Sequence, residues 1–188
     1  MLILGRGCLR FLIFILLLII IIIAFQNIKW LMRTIYPIHY HDLIGKYSKI
    51  YEIDPYLVLA IMKNESRFNP NAVSRKNARG LMQIAPITGK WASKELEIPS
   101  YSEDMLFQPE LNIQFGTWYL NVLKQEFGNN IELMVVGYNA GNGNVKKWLN
   151  NPKYSKDGKT LYRIPFNETR IYKKKVLRDY KIYTRIYK

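Results

Sequence analysis

Apolar residues follow two different patterns along this 188-residue chain. From Phe11 to Phe25 they run without interruption, and Ile28, Trp30, Leu31 and Met32 extend the run beyond Gln26 and Asn27. After His41 they recur at intervals of three and four among polar residues, the period of amphipathic helices. The first pattern predicts a single apolar helix, and the second predicts an all-α domain. No alternation of strand length and no long repeat occurs, so at most a minor β element is expected.

The Phe11 to Ile28 stretch reaches the lower limit for crossing a bilayer, ~17 to 25 residues. A secretory signal has a similar apolar core but ends in a small-x-small cleavage site. Ala24-Phe25-Gln26 supplies none. Residues 1–31 are therefore expected to be a single-pass anchor or an uncleaved signal, with Lys29 and Trp30 at the interface. Arg6, Arg10 and the terminal amine face Lys29 and Arg33 across the span, a slight excess that favours a cytoplasmic N-terminus and an exported domain. Met32 to Tyr40, broken by Thr34, Pro37 and His39, is expected to be a linker, leaving 41–188 as the domain.

Within that domain His41 to Tyr51 forms the first predicted helix. Asp54 as N-cap and Pro55 at the first turn open the second, which ends at Glu65 before Asn69-Pro70. Short helices are expected over Gly80 to Ile84 and Thr88 to Leu96, on either side of Pro86. Pro109 to Phe127 is the longest, opened by Pro and stopped by Gly128. Asn130 caps an apolar helix from Ile131 to Tyr138, expected at the centre of the domain. A short helix over Val145 to Leu149 and a polar loop over Asn150 to Lys159 follow. Asn167 is expected to cap the last helix, with Tyr172, Val176, Tyr180 and Tyr183 or Tyr187 on its packed face.

Glu65 is where chemistry enters. Val58, Ile61 and Met62 share its face at helical spacing, so its carboxylate points toward apolar packing. Burial and the negative end of the helix dipole both disfavour its charge, which predicts a carboxyl able to donate a proton near neutral pH. The other reading is a solvated Glu paired with Lys63 or Arg67. A glycosidase ordinarily carries a second carboxylate, but Asp54 lies about three turns away and Glu103-Asp104 have a capping role open to them.

Net charge is +14, and +11 of it falls between Lys146 and Lys188, where 14 Lys or Arg face Asp157, Glu168 and Asp179. Such a surface attracts anionic lipid headgroups, cell-wall polyanions or nucleic acid, or is a solvated helix face. Export of the domain argues against nucleic acid. Cys8 is the single cysteine and precedes the apolar run, which excludes an intrachain disulfide and a lipoprotein cysteine. His39 and His41 stand as a lone His-x-His pair, so no metal is expected. Trp91, Trp118 and Trp148 suit either core or sugar platforms.

Four separated motifs accompany Glu65: Phe68 to Ser74, Ala78-Arg79-Gly80-Leu81-Met82-Gln83-Ile84, Tyr138-Asn139-Ala140-Gly141, and Ile164-Pro165-Phe166-Asn167-Glu168-Thr169-Arg170. In this order they resemble the catalytic domain of the soluble-type lytic transglycosylases over His41 to Tyr183. The resemblance implies a lysozyme-like fold and non-hydrolytic cleavage of the MurNAc-GlcNAc β-1,4 bond of peptidoglycan, leaving a 1,6-anhydromuramic end and using no cofactor. It makes Glu65 acid and then base. It also places Ser74 in the lining of the site, Gln83 against a sugar near the scissile bond, and Tyr138, with Asn139 of the same motif, beside the oxocarbenium-like state. Glu168 then orients groups in the cleft, while its other reading is a first-turn Glu favoured by the helix dipole. Asn77, Ala85 and Lys173 depart from the family pattern. Implied partners are peptidoglycan strands, the membrane through the N-terminal helix, and anionic wall polymers through the basic C-terminal region. A water-using muramidase on the same fold and an inactive cationic wall-binding protein remain the alternatives.

Overall fold

The computed structural model describes residues 6–188, in two compact units divided between Pro37 and Ile38. The terminal amine and the side chains of Arg6 and Lys29, on which the orientation argument rests, lie outside the described residues. Among the described residues every regular element is a helix, and there is no sheet.

The first unit is one helix, α1 (Arg6–Ile35), about 45 Å long at ~1.5 Å per residue. Gly7–Ile28 has the length and apolar composition to cross a membrane, with a mean hydropathy of 3.3 and no buried residue. Two of its polar side chains bond their own backbone one turn back: Asn27 donates to the Ile23 carbonyl and Thr34 to the Trp30 carbonyl. An apolar environment can accept polar groups satisfied in this way. The helix continues through Met32–Ile35, so the non-helical stretch before the next element covers 36–40 rather than the expected 32–40.

The second unit holds α2 (His41–Tyr51), α3 (Pro55–Glu65), α4 (Pro86–Glu95), a 3₁₀ turn (Glu103–Phe107), α5 (Pro109–Phe127), α6 (Ile131–Ala140), α7 (Asn142–Leu149) and α8 (Asn167–Tyr187). Local signals placed α2, α3 and α5 at their expected bounds. Asp54 accepts the Tyr56 N–H at 2.9 Å and Asn130 the Leu133 N–H at 3.2 Å, caps worth about 1 kcal/mol each. Gly128 takes the left-handed conformation that ends α5, φ 64°.

Four bounds differ. Gly80–Ile84 is a turn, not a helix, because Arg79 and Ile84 exchange backbone hydrogen bonds in an isolated antiparallel bridge. Pro86 opens α4 instead of breaking the chain ahead of Thr88, since its missing N–H costs nothing at a first turn. Both α6 and α7 are longer than expected, meeting at Gly141, which has φ 84°. Asn167 lies inside α8 rather than capping it; Phe166 is at the cap, and the Asn167 side chain accepts from Arg170 at 2.7 Å.

The centre is shared by α5 and α6. Leu57 to Met62 of α3 are buried without a break, as are Leu133 to Gly137 of α6. Around α5 the buried set runs from Leu111 to Leu123 and includes Asn112 and Thr117. Each fully buried aliphatic side chain contributes about 1.5 to 3 kcal/mol. Trp118 and Trp148 are core, Trp148 with Leu133, Val136, Val145 and Ile164. Trp91 is 39% exposed and meets Trp118 edge-on at 4.8 Å. The packed face of α8 is Thr169, Tyr172, Val176, Asp179, Tyr183 and Ile186, with Tyr180 and Tyr187 only half-buried.

Candidate active site

One end of the domain carries a cavity of about 740 Å³ where three helix termini meet. Glu65 is the last residue of α3, Tyr138 and Asn139 are in the last turn of α6, and Glu168 and Thr169 are in the first turn of α8. Loops 74–78 and 79–85 close the other side. All six residues singled out from the sequence, Glu65, Ser74, Gln83, Tyr138, Asn139 and Glu168, line this one space.

Glu65 is held from both sides of its helix end. Asn64 donates to the Asp179 carboxylate of α8 at 3.0 Å, and the Ser66 hydroxyl donates to the Leu81 carbonyl at 2.7 Å. Lys63 turns to Asp179 at 3.6 Å, so the reading that paired it with Glu65 does not describe this helix end. Burial pushes the Glu65 carboxyl up to about 7. The Tyr172 hydroxyl opposes that shift in part, and the Glu168 charge adds to it. Tyr172, on the buried face of α8, has no well-formed hydrogen bond among the described residues, which leaves its hydroxyl to the carboxyl beside it.

The polar lining is built from turns. In the 74–78 turn the Ser74 N–H donates to the Ala78 carbonyl at 2.9 Å, and the Ser74 hydroxyl accepts the Ala78 N–H at 3.0 Å. The hydroxyl proton stays free to donate. Asn77, one of the departures, takes φ 60°, a conformation that Asn tolerates. Gln83 is also left-handed, φ 50°, and its amide N–H groups bind the Ala72 and Gly80 carbonyls, both at 3.0 Å. Its side-chain oxygen has no partner among the described residues. Strain of ~1 to 3 kcal/mol at a non-glycine position is tolerated where the surroundings fix it.

Here the fixing group is Asn112 of α5, which is fully buried. Its oxygen accepts the Met82 N–H at 2.7 Å, and its amide donates to the Arg79 and Leu106 carbonyls at 2.9 and 2.7 Å. Gly80 lies against the same amide at φ 77°, where an added Cβ would collide with it and with the Leu106 carbonyl.

Tyr138 donates to the Met82 carbonyl at 2.8 Å, and burial holds its phenol well above the ordinary range. With its proton committed to the protein, its oxygen can present only lone pairs to the cleft. Asn139 accepts from Thr169 at 2.7 Å, joining α6 to α8. Glu168 is an exposed first-turn residue of α8, and it faces Lys76 across the cavity mouth at 3.9 Å.

No other carboxylate lines the cavity. Asp54 accepts from Tyr180 at 2.9 Å at the far end of α3, and Glu103 and Asp104 both pair with Arg79. Ala85 lies in the wall, and Lys173 pairs with Glu132 of α6 at 2.9 Å, away from the cavity. Phe166, 49% exposed, meets Trp148 edge-on at 5.0 Å and offers an apolar surface at the mouth. Neither Phe166, quoted within a motif, nor Tyr172, expected on the packed face of α8, was expected at the site. The available signals were an aromatic ring just ahead of a helix and a tyrosine on a packed face whose hydroxyl needs a partner. No cluster of His, Cys, Asp or Glu suited to a metal occurs among the described residues.

A family model described as "Transglycosylase SLT domain" matches residues 42–161. The soluble lytic murein transglycosylase of Escherichia coli K12 is 42% identical over 144 residues, covering 76% of this chain and 22% of that protein. The membrane-bound lytic murein transglycosylase C of Pectobacterium atrosepticum is 39% identical over 122 residues, 56% of this chain and 32% of that one. The crystal structure of the 70 kDa soluble lytic transglycosylase of Escherichia coli superposes with a TM-score of 0.73 at 38% identity, over 82% of this chain and 25% of the other. The same fold has been determined in complex with bulgecin A. The chain thus spans about a quarter of the length of such relatives.

Proposed function

Since this chain belongs to the transglycosylase SLT domain family, with its lysozyme-like fold, we propose that it is a peptidoglycan lytic transglycosylase, anchored by α1 with its domain on the wall side of the membrane. The observation that carries this reading is a half-buried Glu65, pushed up to about 7, in a cavity whose other carboxylate, Glu168, is exposed at the mouth.

Glu65 enters the reaction protonated and gives its proton to the glycosidic oxygen as the bond from the muramic C1 breaks. Positive charge develops at C1 and the ring oxygen. The substrate's own N-acetyl carbonyl, with the lone pairs of Tyr138, stabilises that charge in place of a second carboxylate. Glu65, now ionised, accepts the proton of the muramic 6-hydroxyl as that oxygen bonds to C1. The 1,6-anhydro ring closes, the enzyme regains its starting protonation state, and no water is consumed. The Ser74 hydroxyl and the Gln83 oxygen suit the N–H, carbonyl and hydroxyl groups of N-acetyl sugars, and Phe166 suits an apolar sugar face.

Digestion of purified sacculi with the full-length protein in detergent tests the proposal. Released muropeptides are expected to carry 1,6-anhydromuramic ends, and Glu65→Gln to release none. Reducing muramic ends would transfer the site to a hydrolase, and full activity of Glu65→Gln would refute the role of the acid. Protease accessibility in intact and permeabilised cells tests the orientation.

A further inference from the structure

The outer face of α8 carries Arg170, Lys174, Arg178, Lys181, Arg185 and Lys188, all exposed. Spacings of three and four residues place these six within an arc of about 80° and along about 27 Å of helix. The opposite side is the packed face, from Thr169 to Ile186, so the stripe belongs to a helix fixed in place. Between Arg170 and Lys188 the one acidic residue is Asp179, which is buried. Arg178 pairs with it at 2.9 Å, and Lys188 approaches Asp54 at 3.8 Å. Lys174, Lys181 and Arg185 have no acidic partner among the described residues.

A solvated helix face ordinarily mixes signs, because like charges four residues apart destabilise a helix and opposite ones support it. The helix dipole explains Arg185 and Lys188 in the last turn, but it makes Arg170 in the first turn unfavourable and is indifferent to the middle of the stripe. Lys174, Lys181 and Arg185 therefore cost the folded protein a little and have no acidic partner within it to offset that cost.

We propose that this stripe is a docking surface for an anionic lipid bilayer. The proposal rests on the reading of α1 as a membrane anchor. Anchoring keeps headgroups at high effective concentration around the domain, so a weak contact suffices. Each cation beside an anionic leaflet gains roughly five-fold in equilibrium constant. Three unpaired cations on one straight edge therefore hold the domain in one orientation about a hundred-fold over a neutral surface. No apolar residue interrupts the stripe, Ile171 lying at its flank, so the contact is electrostatic and without insertion. The docked domain rests α8 on the headgroups and presents its cleft, at the N-terminal end of α8, to glycan strands lying close to the membrane.

The test is acylation footprinting of the full-length protein in nanodiscs of phosphatidylcholine alone or with roughly one-third phosphatidylglycerol. Lys174 and Lys181 are expected to react several-fold more slowly on the anionic discs, with exposed Lys90 and Lys94 of α4 unchanged and the protection lost in high salt. A Lys174→Glu/Lys181→Glu/Arg185→Glu variant is expected to lose the protection while cleaving soluble glycan fragments at the unaltered rate. Equal acylation on both discs refutes the docking. Protection by soluble polyphosphate on neutral discs, without protection by anionic lipid, refutes it in favour of a wall polymer. Failure to co-elute with neutral discs refutes the anchor instead, and co-elution with anionic discs then still measures the stripe.

Discussion

Replacing Glu65 with Gln should stabilise the protein at alkaline pH while abolishing its activity. A carboxyl raised from 4.5 to about 7 by burial holds its proton more tightly folded than unfolded. Stability is therefore undiminished below pH 4.5 and is lost as pH rises toward 7, because across that window the folded state binds more protons. At ~1.4 kcal/mol per unit the full loss is about 3 kcal/mol. Gln is a neutral isostere that never incurs it. Wild type and Glu65→Gln should thus unfold alike at pH 4.5, and the variant should lead by about 3 kcal/mol at pH 8. For a domain of this size that is ~10 °C in Tm. Thermal unfolding in detergent, followed by tryptophan fluorescence at several pH values, reads the difference directly, and groups common to both proteins cancel. A difference constant from pH 4.5 to 8 would sink the premise that this carboxyl is desolvated.

Two neighbours should move the alkaline limb of activity in opposite directions: Tyr172→Phe removes the hydroxyl that favours the carboxylate and shifts the limb up, while Glu168→Gln removes a repelling charge and shifts it down. Rates on soluble glycan from pH 5 to 9 measure both. Asn112→Ala strands two buried backbone groups, the Met82 N–H and the Leu106 carbonyl, and should cost roughly 3 kcal/mol in urea unfolding, together with activity, because the same side chain sets the turn that carries Gln83. Gly80→Ala meets both a left-handed φ and the Asn112 amide, so it should cost more than ~1 kcal/mol in the same measurement, whereas Gly143→Ala, open to solvent, should cost almost nothing.

Elements whose ends are decided locally were legible before any coordinates. Asp54-Pro55, Pro109 with Gly128, and Asn130 each satisfy orphaned backbone groups within a turn of themselves, so sequence alone locates them. Gly80–Ile84 is a turn rather than the expected helix because the Met82 N–H and the preceding Arg79 carbonyl bond to Asn112, some thirty residues downstream. Leu81 and Met82 look like one helical turn until that partner is known. Asp179 was hidden for the same reason. A lone acid in a basic helix suggests solvent, yet its partners Lys63 and Asn64 come from α3. The six candidate residues were named through family motifs, and periodicity supported only Glu65. What brings the others together is the packing of α3 and α6 on α8, a tertiary fact.

That packing has an electrostatic sense of its own. Glu65 ends α3, and Tyr138 and Asn139 close α6, so two helix C-termini, each carrying about half a negative charge, point at one cavity. Before the reaction they oppose ionisation of Glu65, together with its burial and the Glu168 charge. In the proposed reaction they would face the positive charge developing at the muramic C1, where partial negative charge lowers the barrier. The N-terminus of α8 supplies the opposite sign where Glu168 sits. A carboxyl kept neutral and a cation stabilised are usually competing demands, since a nearby full negative charge serves the second while repelling the carboxylate that must form. Helix ends resolve the conflict because their charge is partial, fixed and unable to attack C1. In the proposed reaction such helix ends would let a site with one half-buried carboxylate leave the nucleophile's role to the substrate's own hydroxyl.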